Sequence, residues 1–207
     1  MGPRRVGKTV MIHHSIQRLI EEGIDPKKII YVSIEVPIYN RIPLEDLFLL
    51  ASEALGKKGE TKGFYIFYDE IQYLKEWEVH LKTLVDTYRE IKFIASGSAA
   101  AALKVKSNES GAGRFTDFML PPLTFNEYIH LKDLNNLMHP SAMHWGDKEI
   151  DIYSTIDIRK LNQHFLNYIN YGGYPEVVFS KEIQSNPGRF IRSDIIDKVL
   201  LRDLPDL

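Results

Sequence analysis

Gly2-Pro3-Arg4-Arg5-Val6-Gly7-Lys8-Thr9 (GPRRVGKT) fits the pattern G-x-x-x-x-G-K-[ST] at every fixed position. Each fixed residue type meets a need of phosphate binding. The glycines let backbone N–H groups turn inward around phosphate oxygens, Lys8 brings positive charge to the β- and γ-phosphates, and the Thr9 hydroxyl ligates Mg²⁺. Pro3, Arg4, Arg5 and Val6 complete the loop, and Val10 follows it. Behind the loop, Ile12, Ile16, Leu19 and Ile20 recur at helical spacing and Gly23 is a good terminator, which predicts a helix over residues 8–22. That helix adds its positive dipole end and its free N–H groups to the loop. A chance match to the pattern is the bland alternative, and a helix directly behind the motif weighs against it.

The same fold class follows from the rest of the first half. Phe64 to Tyr68 (FYIFY) is a short continuous apolar run, the pattern of a strand buried on both faces as in a parallel sheet. Residues 29–36 (IIYVSIEV) and 91–96 (IKFIAS) read as further strands, and Thr116 to Leu120 as another. Helices are predicted between them, at residues 43–55 and along the stripe Trp77, Leu81, Leu84, Val85 and Tyr88. Strands alternating with helices predict an α/β fold with a mainly parallel sheet.

After Pro121-Pro122 the period changes. Thr124 and Glu127 form a T-x-x-E capping box opening a helix, and no strand is evident from about Leu123 onward. The reading divides the chain into an α/β core at 1–130, an irregular insertion at 131–154, and a helical part at 155–207. In the last, Ile158, Leu161, Phe165, Tyr168 and Ile169 make a stripe broken by Gly172-Gly173, and a final helix is predicted over Pro187 to Asp203.

Composition narrows the function classes. The chain has 207 residues with 44% hydrophobic and 26% charged, which excludes a disordered or collagen-like polymer. The absence of cysteine excludes cysteine catalysis, thiolate zinc sites and iron–sulfur clusters. A cysteine-free chain without a signal peptide is most simply cytoplasmic. No apolar stretch is long enough to span a membrane. A formal net charge of −2 supplies no basic field, so nucleic acid as a partner has no support in the core sequence.

Two carboxylates end the apolar run. Asp69 is placed to hold Mg²⁺ through its water shell, and Glu70 to orient and deprotonate an attacking water. The alternative is a solvated acidic pair at a strand end. The next strand ends at Ser96-Gly97-Ser98, and a hydroxyl from Ser96 or Ser98 there would face the γ-phosphate; the alternative is a serine-glycine turn. Arg4 and Arg5 either touch nucleotide or are simply exposed, the latter being the simpler reading. No N-K-x-D motif is present, which favours ATP over GTP. His13-His14 lack a third ligand at metal spacing, and His139, His144 and Trp145 read as solvated loop residues.

Together these residues resemble the AAA+ ATPases, specifically a prokaryotic group carrying an additional C-terminal domain of uncharacterised function. The resemblance rests on GPRRVGKT, FYDEIQYLKEWE from Phe67, IASGSA from Ile94, Gly113-Arg114, LPPLTFNEY from Leu120, YGGYPEVV from Tyr171 and LLRDL near the end. It implies a P-loop NTPase core of five parallel strands with helices on both faces, followed by a small helical lid. It implies ATP and Mg²⁺, with Lys8 at the phosphates, Thr9 and Asp69 at the metal, Glu70 as base, and Ser96 or Ser98 as first sensor. Pro175 in Gly173-Tyr174-Pro175 would pack on adenine, unless the turn only breaks a helix. Arg114 is either an arginine finger, acting in its own subunit or in a neighbour of an oligomer, or a structural arginine. The client would be an unknown protein or the chain's own C-terminal domain. Since only Met1 precedes the loop, the resemblance also predicts that the first core strand is missing, that its neighbours carry unpaired backbone groups, and that the chain is truncated at both ends. A nucleotide-binding switch with negligible turnover, or an incompetent fragment of such an ATPase, is the alternative to an active enzyme.

Overall fold

The computed structural model describes residues 1–98, 115–171, 173–197 and 200–201. Contacts divide it into a unit over Met1–Leu120 and one over Pro121–Asp197. The division falls at Pro121-Pro122, where the sequence changes period.

The apolar run 64–68 forms the middle of the first unit. Strand β2 (Tyr65–Asp69) is buried along nearly its whole length, because a parallel neighbour flanks it on each side. These are β1 (Ile29–Ser33) and β3 (Lys92–Ala95), in the order β1-β2-β3. The register sets Ile30 beside Ile66, Ser33 beside Asp69 and Tyr68 beside Ala95. Parallel strands need crossovers, and two helices supply them. Helix α2 (Leu44–Ala54) buries Leu44, Leu47 and Phe48, and α3 (Trp77–Thr87) buries Trp77, Leu81 and Leu84. Phe48 meets Phe64 and Tyr88 edge-on at 5.8 and 5.4 Å, a geometry that suits the ring quadrupoles. Tyr68 is fully buried, and its hydroxyl donates to the Leu44 carbonyl at 2.7 Å, so this buried polar atom is satisfied. Helix α1 (Lys8–Glu21) follows the loop as expected, with Ile12, Ile16 and Leu19 turned inward; Ile20 is exposed.

Two expectations change. The described residues hold three parallel strands rather than five. Thr116 to Leu120, predicted as a strand, form no regular ladder. Their described rung is to Met1, whose ammonium donates to the Phe118 carbonyl at 2.8 Å and whose carbonyl accepts from the Leu120 N–H at 2.8 Å. A strand needs a neighbour along its length, and beyond Met1 a groove of about 480 Å³ separates this segment from β3. Trp77, Leu81, Val85, Phe93 and Phe115 line it. At its end Gly2 donates to the Gly97 carbonyl at 3.3 Å, and a Cβ at Gly2 would lie 2.3 Å from the Leu120 carbonyl oxygen. The first loop glycine is therefore required by packing.

In the second unit the capping box forms as read. The Glu127 carboxylate accepts from the Thr124 N–H at 2.7 Å, the Thr124 hydroxyl accepts from the Glu127 N–H at 3.3 Å, and helix α4 (Phe125–Leu131) begins there. Tyr128, Ile129 and Val178 form the core, flanked by Leu161 and Tyr168 of α5 (Ile158–Tyr171). Residues 131–154, read as an irregular insertion without strands, instead contain an antiparallel hairpin: β4 (His139–Trp145) pairs with β5 (Lys148–Ser154) across Gly146-Asp147, with Gly146 at φ 60°. Both strands are almost wholly exposed, so burial imposes no alternation that a sequence pattern would reveal. Short helices α6 (Pro175–Phe179), α7 (Lys181–Ser185) and α8 (Pro187–Phe190) follow. The single helix expected over 187–203 is α8 followed by a wider π-helical turn at Ile191–Ile196; Asp203 lies outside the described residues.

Candidate functional site

Four local features bring the predicted residues together at the ends of β2 and β3. Gly7 takes φ 95°, which only glycine adopts without strain, and turns the loop into α1. Arg5 also has positive φ, at 65°. Glu70 turns left-handed at φ 54° where β2 ends, a conformation costing an L-residue roughly 1–2 kcal/mol. It is held there because its N–H donates to the Ser96 hydroxyl oxygen at 3.1 Å and the next N–H, of Ile71, donates to the Ser96 carbonyl at 2.9 Å.

Lys8 is buried, and its ammonium donates to the carbonyls of Gly2 (3.2 Å) and Pro3 (3.0 Å), with Glu70 Oε1 at 3.8 Å. A buried cation is tolerable only when so partnered. Asp69 is 2% exposed and sits among hydroxyls. Its Oδ2 accepts from Thr9 Oγ1 at 2.7 Å and from Tyr31 Oη at 3.0 Å, and its Oδ1 accepts from Ser96 Oγ in a very short contact. Burial, and then the neighbouring Asp69 charge, push the Tyr31 phenol up to about 12, so it remains a donor at neutral pH. Glu70 Oε2 accepts from the Gln72 amide at 2.5 Å, and Gln72 Oε1 in turn accepts from the Ser98 N–H at 3.3 Å.

Lys8, Thr9, Asp69, Glu70, Ser96 and Ser98 thus form one connected cluster. Ser96 enters through its hydroxyl, and Ser98 through its backbone N–H. Arg4 is half-buried and donates to the Tyr73 hydroxyl at 3.3 Å, Arg5 is exposed, Val6 is buried, and Val10 is exposed on α1. Pro175 lies in the second unit, at the first position of α6. Arg114 lies outside the described residues. Sequence reasoning missed Tyr31 and Gln72. Gln72 stood inside the quoted acidic motif with no role attached, whereas the Tyr31 contact depends on strand register.

The donors fit magnesium. Mg²⁺ takes hard oxygen ligands, keeps several waters and binds through one or two protein groups plus substrate phosphates. One hydroxyl and one carboxylate, beside a lysine and a glycine-bearing turn at a helix N-terminus, make such a set, and among the described residues there is no cluster of metal-binding side chains to suggest a fully protein-enclosed ion.

Fold and site define a phosphate-loop nucleotide-binding domain. Residues 1–129 match the family model described as AAA domain, and the chain belongs to that family, within the AAA+ P-loop ATPases. Relatives include uncharacterised proteins of Methanocaldococcus jannaschii (28% identity over 187 residues, 88% of this chain and 39% of the relative) and Haemophilus influenzae (25% over 204 residues, 98% and 44%). The chain therefore spans about two fifths of the length of these relatives. Among solved structures, the RuvB Holliday junction branch migration motor of Thermotoga maritima is similar at 18% identity and TM-score 0.40, over 64% of this chain and 42% of that one. No helix among the described residues is long and apolar enough to cross a membrane.

Proposed function

We propose that this domain binds ATP with Mg²⁺ and hydrolyses it, using the turnover to drive or signal a conformational change. The observation that carries this reading is the connected cluster itself, in which the loop lysine, the loop threonine and both carboxylates of the acidic pair meet within hydrogen-bonding or ion-pair distance. Lys8 would exchange its two carbonyl partners for β- and γ-phosphate oxygens, which match its charge better. The Thr9 hydroxyl would hold the metal by its lone pair while still donating to Asp69, and Asp69 would accept from metal-bound water. Bound Mg²⁺ would neutralise charge developing on the transferred phosphoryl group. Glu70 would take the proton of the attacking water, with Gln72 and the β3 end fixing its carboxylate. Pro175 on adenine, and Arg114 as a finger within the subunit or from a neighbour in an oligomer, extend the proposal. A partner protein, or sequence of the kind the longer relatives carry, would receive the signal, in the cytoplasm. Nothing in the described site adds support for nucleic acid.

One observation favours a second reading, a nucleotide switch with negligible turnover. Both Glu70 oxygens are engaged, by Lys8 and by Gln72, so the base is not free in this state. Steady-state ATP hydrolysis by wild type and Glu70→Gln separates the two. Turnover lost in the variant, with binding retained, supports the enzyme. Binding without turnover in wild type supports the switch.

A further inference from the structure

We propose that Tyr31 is a positioning residue for the magnesium site, holding the Asp69 carboxylate in the orientation the ion requires; this rests on the Mg²⁺-nucleotide reading above. Two of the three hydroxyls around Asp69 come from the loop and from β3, the segments that carry the phosphate and sensor motifs. The third comes from the edge strand β1. There, Tyr31 stands beside Phe67, two positions from the Ser33–Asp69 pair, on the same face of the sheet. Diagonal neighbours on one sheet face lie roughly 7–8 Å apart, a gap that a phenol spans and a shorter hydroxyl does not. The ring is held at its other side by His13 of α1, edge-on at 5.2 Å, which gives that helix histidine a packing role. The phenol oxygen donates to Asp69 Oδ2 at 3.0 Å, so the ring bridges the helix histidine and the carboxylate.

The consequence concerns the two donors on Oδ2. Thr9 must turn its oxygen toward the ion while its hydroxyl hydrogen stays on Asp69. Tyr31 has no such second duty. It keeps one donor on Oδ2 when the ion arrives, and so keeps the carboxylate plane aimed at metal-bound water. Partners of this kind, one shell out from the ion, commonly change metal affinity by about 10–100-fold.

The test is binding of a fluorescent ATP analogue by wild type and Tyr31→Phe, titrated with Mg²⁺ and repeated in EDTA. The variant keeps the ring and its contact with His13 and removes only the hydroxyl. The expected result is an EDTA affinity within about twofold of wild type and a Mg²⁺ requirement raised about tenfold. An unchanged Mg²⁺ titration overturns the proposal while leaving the nucleotide reading intact. An equal loss with and without Mg²⁺ also overturns it, since it marks a merely structural tyrosine. Absence of any Mg²⁺ dependence in wild type removes the proposal together with the reading beneath it.

Discussion

The Gln72 side-chain amide donates to Glu70 Oε2 at 2.5 Å and accepts, through its own carbonyl, from the Ser98 N–H at 3.3 Å. One neutral side chain therefore ties the candidate base to the tip of the neighbouring strand. A donor on a carboxylate steadies its direction.

Gln72→Leu removes both bonds. Under the hydrolysis reading, kcat is expected to fall on the order of tenfold, part of the roughly 10²–10⁴ a positioned base contributes, while KM for ATP changes little. Steady-state kinetics check this. Equal changes in kcat and in binding would mean that Gln72 merely supports the local fold.

Ser96 serves two partners at once, donating to Asp69 and accepting from the Glu70 N–H. Ser96→Ala strips a partner from each, in a buried place. A loss of roughly 1–3 kcal/mol in folding stability is expected, by urea titration, beyond any effect on nucleotide.

Gly173 is the corresponding point in the second unit. It has φ 65°, its carbonyl accepts from the Leu123 N–H at 2.8 Å, and an added Cβ would lie 2.7 Å from the Leu123 carbonyl oxygen. Gly173→Ala combines left-handed strain with a backbone clash, and roughly 2–4 kcal/mol of destabilisation is expected in thermal or urea unfolding.

The capping box gives a pH dependence. Hydrogen bonds from the Thr124 backbone, then from its hydroxyl, hold the Glu127 carboxyl below its ordinary value of 4.5. The native state thus binds fewer protons than the unfolded chain in that range. Its contribution is complete above about 4.5 and is lost as pH falls through the lowered value. Stability of wild type relative to Glu127→Gln, followed between pH 7 and pH 3, should decline on the acid side. Thr124→Ala should cost about 1 kcal/mol at neutral pH.

What the sequence disclosed and what it hid have physical causes. The run 64–68 announced a central strand because burial on both faces demands continuous apolar side chains. That Lys8, Thr9, Asp69 and Glu70 would meet was legible because the loop motif and the acidic strand end stand at fixed places in an α/β order, and the structure brings them into one cluster. The hairpin at 139–154 was not, because Pro140, Ser141 and Ala142 are poor strand formers and both strands face solvent. Met143, Trp145 and Ile150 do share one face, but only the pairing register shows it. Tyr31 was hidden for the same reason: its meeting with Asp69, 38 positions away, is set by how β1 lies against β2. The strand expected at 116–120 does not form, because a ladder needs a neighbour along its length and Met1 supplies a single rung.

Equilibrium binding of a fluorescent ATP analogue with Mg²⁺, by wild type and by Lys8→Ala, tests the central claim most directly. The Lys8 ammonium touches both the loop carbonyls and the carboxylate of the candidate base, Glu70. Micromolar binding by wild type, weakened at least a hundredfold in a folded Lys8→Ala, is the expected result. Equal affinity in the two, or no binding by a folded wild type, would contradict the claim that this loop grips nucleotide.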